Sequence, residues 1–202
     1  VITALLHQYA VTSDVDRFPS HVADILAMLG RDGAELNLRN GQVYPVRATP
    51  VASGRPEVWL LGSSDYSAAL AARLGLPYVF ANHFSGDGIE RALALYRADF
   101  VASEWLDGPR TFLTLNAVVA DDPAEAAERA LPNLIQMARL RTGKPLTTLP
   151  LVDEALAYEP DVGERALIDA MRARWVIGEP AESAARVVEL AGRHGVDEVM
   201  IS

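Results

Sequence analysis

Apolar positions along the chain keep two rhythms, short continuous runs and stretches spaced three and four residues apart, and the two alternate. Val22, Ile25, Leu26 and Leu29 fall at helical spacing, which predicts a helix over 18–29 with Pro19 and Ser20 at its start and Gly30 at its end. Ahead of it, 1–10 reads as a short helix and 13–17 as a polar turn. Residues 31–56 are rich in turn formers around one alternating stretch at 43–46, so an irregular excursion with a hairpin or an isolated strand is expected there. Then the pattern tightens. Val58-Trp59-Leu60-Leu61 reads as a buried parallel strand, 66–74 as an alanine-packed helix closed at Gly75, and 76–81 as a second buried strand. A helix over 87–102 and a strand over 111–119 follow. Asp122 and Pro123 open a long helix to about Arg141, with the Asp122 carboxylate accepting from first-turn amides and Glu125 reaching back. Beyond it come a loop (142–160), a helix (164–174), a turn (177–180), an amphipathic helix (181–194) with Val187, Val188, Leu190 and Ala191 on its apolar side, and a last strand (196–201).

Strand and helix in alternation imply a parallel sheet with right-handed crossovers. About four core strands are counted, half of what a closed (β/α)8 barrel needs, and an open doubly wound sheet fits the same pattern.

Composition narrows the class. Half of the 202 residues are apolar and 22% are charged, as in an ordinary soluble protein. No apolar run approaches the length of a membrane span, and 1–10 has no basic flank of the signal-peptide kind. Cysteine is absent, which excludes disulfides, thiolate catalysis and thiolate metal sites and is compatible with a cytoplasmic location. A net charge of −9 without a basic stripe argues against a nucleic-acid partner. The chain opens at Val1 in what reads as the interior of an element and closes on a strand, so missing flanking sequence or a fragment is expected.

Two strand ends carry candidate chemistry. In Leu61-Gly62-Ser63-Ser64-Asp65-Tyr66-Ser67 a strand runs through small residues into a helix. Gly62 allows close backbone approach, and Ser63, Ser64 and Ser67 set hydroxyls about one helical turn apart beside free backbone donors. One phosphate can be cradled there without a lysine; Ser64 or Asp65 serving only as a helix cap accounts for the same residues. In Phe80-Ala81-Asn82-His83-Phe84, His83 stands where parallel α/β proteins build their sites, suited to a ligand contact, to acid or base work, or to bonding loop backbone. His194, beside Arg193 at a polar helix end, is expected at the surface, and Glu125 and Glu128 on a solvated helix face. His7 and His21 lack partners at metal-ligand spacing, so no metal site is expected.

The segment LLGSSDYSAALAARLGLPYVFANHFSG, Leu60 to Gly86, resembles the fifth strand, helix and sixth strand of the bacterial luciferase-like flavin monooxygenases. VVADDPAEAAERA, from Val118, is similar to that family's seventh strand and long helix, and IGEPAESAARVVELAGRHGVDEVMIS, from Ile177, to its last helix and eighth strand. The resemblance implies that 1–202 is the C-terminal portion of one luciferase-like TIM barrel, strands five to eight with their helices. It implies binding of the phosphate of reduced FMN at Gly62, Ser63, Ser64 and Ser67, with Asn82 and His83 bordering the isoalloxazine ring. The implied reaction is two-component monooxygenation of a small organic substrate through a C4a-peroxyflavin, with reduced FMN delivered by a separate flavin reductase, on a barrel expected to form a homodimer. Nothing here matches the family's first four strands, which normally carry a histidine close to the flavin, so the chain alone is expected to be inactive. The alternatives are a non-catalytic flavin-binding or dimerising remnant and an F420-dependent oxidoreductase.

Overall fold

Pro19 in the first turn and Gly30 at the end bound a helix, α1 (Phe18–Leu29), entered through a single 3-10 turn, Val15–Arg17. The computed structural model describes residues 15–50, 53–54, 56–84 and 86–202; the helix expected over 1–10 and the start of the polar turn lie outside them. The chain divides into two compact units, with the boundary in the sequence between Val58 and Trp59. In the first, β1 (Ala34–Asn37) pairs antiparallel with β2 (Val43–Val46), Ala34 opposite Val46 and Asn37 opposite Val43. The expected hairpin is therefore present. Its turn closes with the Leu38 amide donating to the Gln42 carbonyl at 2.8 Å and Gly41 at φ +80°.

The second unit is the α/β body. Its elements run β3 (Leu60–Gly62), α2 (Asp65–Leu74), β4 (Tyr78–Phe80), α3 (Ile89–Ala98), β5 (Leu113–Leu115), β6 (Ala117–Val119), α4 (Pro123–Arg141), α5 (Val152–Leu156), α6 (Val162–Arg174), β7 (Val176–Gly178), α7 (Pro180–His194) and β8 (Val199–Ile201). Four strands form one parallel sheet in the order β3-β4-β5-β8, with Leu60 beside Tyr78, Phe80 beside Leu113 and Leu113 beside Val199. Strand order follows chain order, without the reversal that a doubly wound sheet needs.

The sheet is covered because its sequence makes close packing possible. Ala68, Ala71 and Ala72 give α2 a face without bulk, so the helix sits down on Leu76, Tyr78 and Phe80, all buried. α2 stops where Gly75 turns left-handed at φ +60°; a Cβ there would meet the Val101 carbonyl and Ser103 at 2.5 Å. A second core joins α4, α5 and α6 through Ala130, Leu134, Ile135, Ala138, Ala155, Ile168 and Met171. Glu164 is fully buried at the start of α6, but it is paired: it takes Lys144 at 2.9 Å, the Tyr158 hydroxyl at 2.8 Å and the Asp161 amide at 3.0 Å. Burial pushes its carboxyl up, and these partners together outweigh burial and hold it below the usual carboxylate value.

Six expectations are corrected. The strand expected over 111–119 is two strands in different sheets, because at Asn116 the chain changes partners: β5 pairs β8, whereas β6 pairs β7, and the Asn116 carbonyl accepts from Val176. The turn expected at 177–180 is strand β7 running into α7, since Val176 to Gly178 are held extended against β6. The loop over 142–160 contains α5. His194 is buried, at 8% exposure, and not at the surface: it lies between α7 and α3, where burial lowers its pKa, Glu90 opposes that shift, and Arg193 and Arg97 add to it. Val188, expected on the buried side of α7, is 72% exposed; Leu190 takes the core position. At the start of α4 the Asp122 carboxylate accepts from the Ala124 amide at 2.7 Å as expected, while Glu125 pairs with Arg129 instead of reaching back.

Candidate cofactor and active site

Parallel strands end on one edge, so the residues following β3 and β4 are neighbours although a helix separates them in sequence. The β3 loop is the more ordered of the two in its bonding. Ser67, at 8% exposure, donates to the Ser64 carbonyl at 2.7 Å, and its hydroxyl lies 3.2 Å from that of Tyr78. Tyr78 in turn donates to the Gly62 carbonyl at 3.1 Å; burial pushes its pKa up, against the Ser67 contact and with Asp65, so the proton stays on. Gly62 is required by this closure, because a Cβ there would run into the Ser67 side chain. The Ser64 hydroxyl caps α2 with a long 3.5 Å contact from the Ser67 amide.

What remains outward is Ser63 and Ser64, both exposed, at the open N-terminus of a ten-residue helix. Asp65 in the first turn would repel an anion, but Arg91 of α3 pairs with it at 2.9 Å and brings a guanidinium to the loop. Hydroxyls, first-turn amides and a neutralised acid make a donor set that fits a phosphate. Of the serines expected to hold it, Ser63 and Ser64 face solvent, while Ser67 is turned inward and braces the loop.

The loop after β4 is held differently. Thr114, buried in the middle of β5, donates through Oγ1 to the Phe80 carbonyl at 3.1 Å and accepts the His83 amide at 3.2 Å. Asn82 donates to the Thr114 carbonyl at 2.8 Å, and Asn116 to the His83 carbonyl at 2.7 Å. All four bonds pin backbone or use an amide. The His83 imidazole is half-buried, and its Nδ1, with no solvent contact, has no hydrogen-bond partner among the described residues. An unpartnered buried ring nitrogen costs free energy unless something else meets it. That is the observation with which a planar heterocycle of hydrogen-bonding edges is compatible.

Sequence reading missed Thr114, Asn116, Tyr78 and Arg91. Thr114 alone had a local signal: a hydroxyl inside the apolar run Phe112 to Leu115 must find a partner. Among the described residues, no three histidines, aspartates or glutamates are grouped to hold a metal, and no helix is long and apolar enough to cross a membrane.

The family model of the luciferase-like monooxygenases matches residues 22–198. A luciferase-like monooxygenase of Escherichia coli strain K12 is 40% identical over 116 residues, which are 57% of this chain and 32% of that protein. The crystal structure of apo-MsnO8 superposes with a TM-score of 0.74 at 27% identity, over 93% of this chain and 55% of that one. The oxygenating constituent of 3,6-diketocamphane monooxygenase from Pseudomonas putida, solved in complex with FMN, shares the fold at a TM-score of 0.58 and 16% identity, over 98% of this chain and 60% of that one. The chain spans about half the length of the curated relatives it matches, 47% and 48% of two Bacillus subtilis proteins.

Proposed function

The chain belongs to the luciferase-like monooxygenase family, and from that premise we propose that it supplies strands five to eight of a flavin-dependent monooxygenase barrel whose cofactor is reduced FMN. One observation carries the reading. A phosphate-compatible loop and an unpartnered histidine nitrogen lie on adjacent strand ends at the same edge of one parallel sheet. The outer strands of that sheet support the barrel assignment: Leu61 on β3 is 55% exposed and Ile201 on β8 is 54% exposed, as expected for strands that continue into neighbours.

In this reading Ser63, Ser64 and the first-turn amides of α2 hold the phosphate, with Gly62 giving the backbone clearance and Ser67 keeping the loop in shape. Asn82 and His83 border the ring, and His83 Nδ1 meets a polar atom of the cofactor or substrate. Reduced FMN, when bound, supplies the electrons that activate O2. The residues orient it, keep water away and leave a histidine to donate or hold one proton. A separate flavin reductase delivers the reduced cofactor, the organic substrate is small, and two barrels associate; each of these is part of the proposal. The activity belongs to the whole barrel, and this chain by itself is expected to be inactive.

The test is a pair of anaerobic titrations of the intact protein with reduced FMN and reduced riboflavin, with F420 as the comparison ligand. Replacing Ser63 and Ser64 by Ala is expected to weaken FMN by at least about tenfold, roughly 1.4 kcal/mol, and to leave riboflavin, which has no phosphate, unchanged. Equal affinities before and after substitution would remove the loop from the cofactor site. Tight F420 binding without FMN binding would change the cofactor.

A further inference from the structure

Asp65 is the first residue of α2, and Arg91 lies in the first turn of α3. Their ion pair therefore joins the phosphate-compatible loop to the start of the next helix. Arg91 donates through Nε to Oδ1 of Asp65 at 3.0 Å, and the same nitrogen lies 2.9 Å from Oδ2. A guanidinium carries further donors on both Nη groups, and this pair uses none of them. Among the described residues no other bond engages them. Nη2 folds back over the start of α3, 3.9 Å from where a Cβ on Gly88 would stand, and Gly88 gives that helix no side-chain cap. Helix stability does not favour this position, because a cation in the first turn opposes the helix dipole. The pair itself is weak: the Arg91 side chain is 75% exposed and that of Asp65 41%. The loop is what gains. Without Arg91 the Asp65 carboxylate would repel an anion brought to Ser63, Ser64 and the first-turn amides of α2. A phosphate monoester is close to doubly charged at neutral pH, so hydroxyls and amides beside a neutralised acid still leave it short of positive charge. A planar guanidinium supplies that charge and can take two phosphate oxygens at once.

We propose that Arg91 is a specificity-determining cofactor contact: held on Asp65 through Nε, it gives its Nη donors to a terminal phosphate monoester and makes the site select a phosphorylated flavin over an unphosphorylated one. The assignment rests on the monooxygenase reading and deepens it, by naming the countercharge that the serines and amides do not supply. It gives Asp65 a use as well, since the carboxylate fixes the guanidinium at the loop before the cofactor arrives.

The experiment is anaerobic titration of the intact protein with reduced FMN and reduced riboflavin, then of Arg91→Gln and of Arg129→Gln. Arg129 is a comparably exposed arginine of α4, paired with Glu125, so its loss changes the net charge equally. Wild-type protein is expected to prefer FMN, and Arg91→Gln to weaken FMN at least about tenfold with riboflavin unchanged. Arg129→Gln should leave both flavins as they were. FMN affinity unchanged in Arg91→Gln overturns the assignment. An equal loss of FMN in Arg129→Gln overturns it in favour of net charge, and an equal loss of both flavins in Arg91→Gln overturns it in favour of loop shape. Wild-type protein that binds the two flavins equally overturns it too, and that comparison needs no variant to fold. If Ser63 and Ser64 replaced by Ala weaken FMN while Arg91→Gln does not, the loop keeps the phosphate and Arg91 loses its role. Wild-type protein that binds neither flavin removes the monooxygenase reading itself, and this assignment with it.

Discussion

The two loops at the sheet edge solve opposite problems. The β3 loop turns its side chains on itself: Ser67 bonds Ser64, Tyr78 bonds Gly62, and the loop's shape is set before any ligand arrives. The β4 loop is fixed through its backbone by Thr114 and Asn116, which leaves the His83 ring without a partner on its buried nitrogen. A loop that only has to present amides and hydroxyls to a fixed anion gains from rigidity. In the proposed site, a loop whose histidine meets a reacting group needs its backbone held and its side chain left available. The difference teaches where substitutions should be silent: inside the first loop almost nowhere, and in the second at the histidine itself.

That comparison can be broken or sharpened by measurement. Thr114→Val should have the largest effect. It keeps the shape, leaves the His83 amide unpaired at about 1–3 kcal/mol, and takes one of two donors from the Phe80 carbonyl, which keeps the Asn82 amide at 2.7 Å, for about 1 kcal/mol more. Urea unfolding should register a loss of that order, and a loss under about 1 kcal/mol would mean the β4 loop is not anchored through its backbone. Gly62→Ala comes next, at roughly 1–3 kcal/mol, because the new methyl group must displace the Ser67 side chain. Ser67→Ala should cost about 1 kcal/mol and change flavin affinity only slightly, since the serine acts by bracing. A collapse of FMN affinity at unchanged stability would turn Ser67 into a ligand contact. In the whole barrel, His83→Gln should alter stability by less than about 0.5 kcal/mol and leave flavin binding intact, while product yield falls.

A pH series supplies a reference point on the far side of the sheet. The folded-state pKa of His194 is lowered by burial, so the unfolded chain binds the proton more readily. Its contribution to stability is present above the ordinary value of 6.5 and is lost as pH falls through that value toward the lowered one. Urea midpoints at pH 8 and pH 5.5 should differ in that direction, and His194→Asn should reduce the difference.

Legibility followed the range of the interaction that decided each feature. The stops at Gly30, Gly75 and Gly195 and the Asp122 cap were readable because they involve residues within one turn of each other. The run Leu60 to Gly86 was readable as strand, helix, strand for the same reason, and its resemblance to a family held over 22–198. The break at Asn116 was not readable. Nothing within 111–119 announces it, and it exists because β7, some sixty residues on, takes the second half of the run as its partner. His194 failed for a related reason. A polar residue at a helix end is ordinarily solvated, and only the tertiary structure, which brings Glu90 and Arg97 of α3 beside it, shows it under cover.

By itself, then, the order of residues determined most of the segments that are helix or strand, where most of them stop, and which loops hold small polar residues at strand ends. Those depend on backbone sterics, periodicity and local capping, all contained in a window of a few residues. The tertiary structure alone decided that Ser67 faces inward, that Thr114 and Asn116 hold the His83 backbone, and that Arg141 and Arg174 arrive at one loop from two helices. Each of these is a meeting of residues distant in sequence or a direction set by what already fills the space, and such meetings follow from how elements pack, which no local pattern encodes.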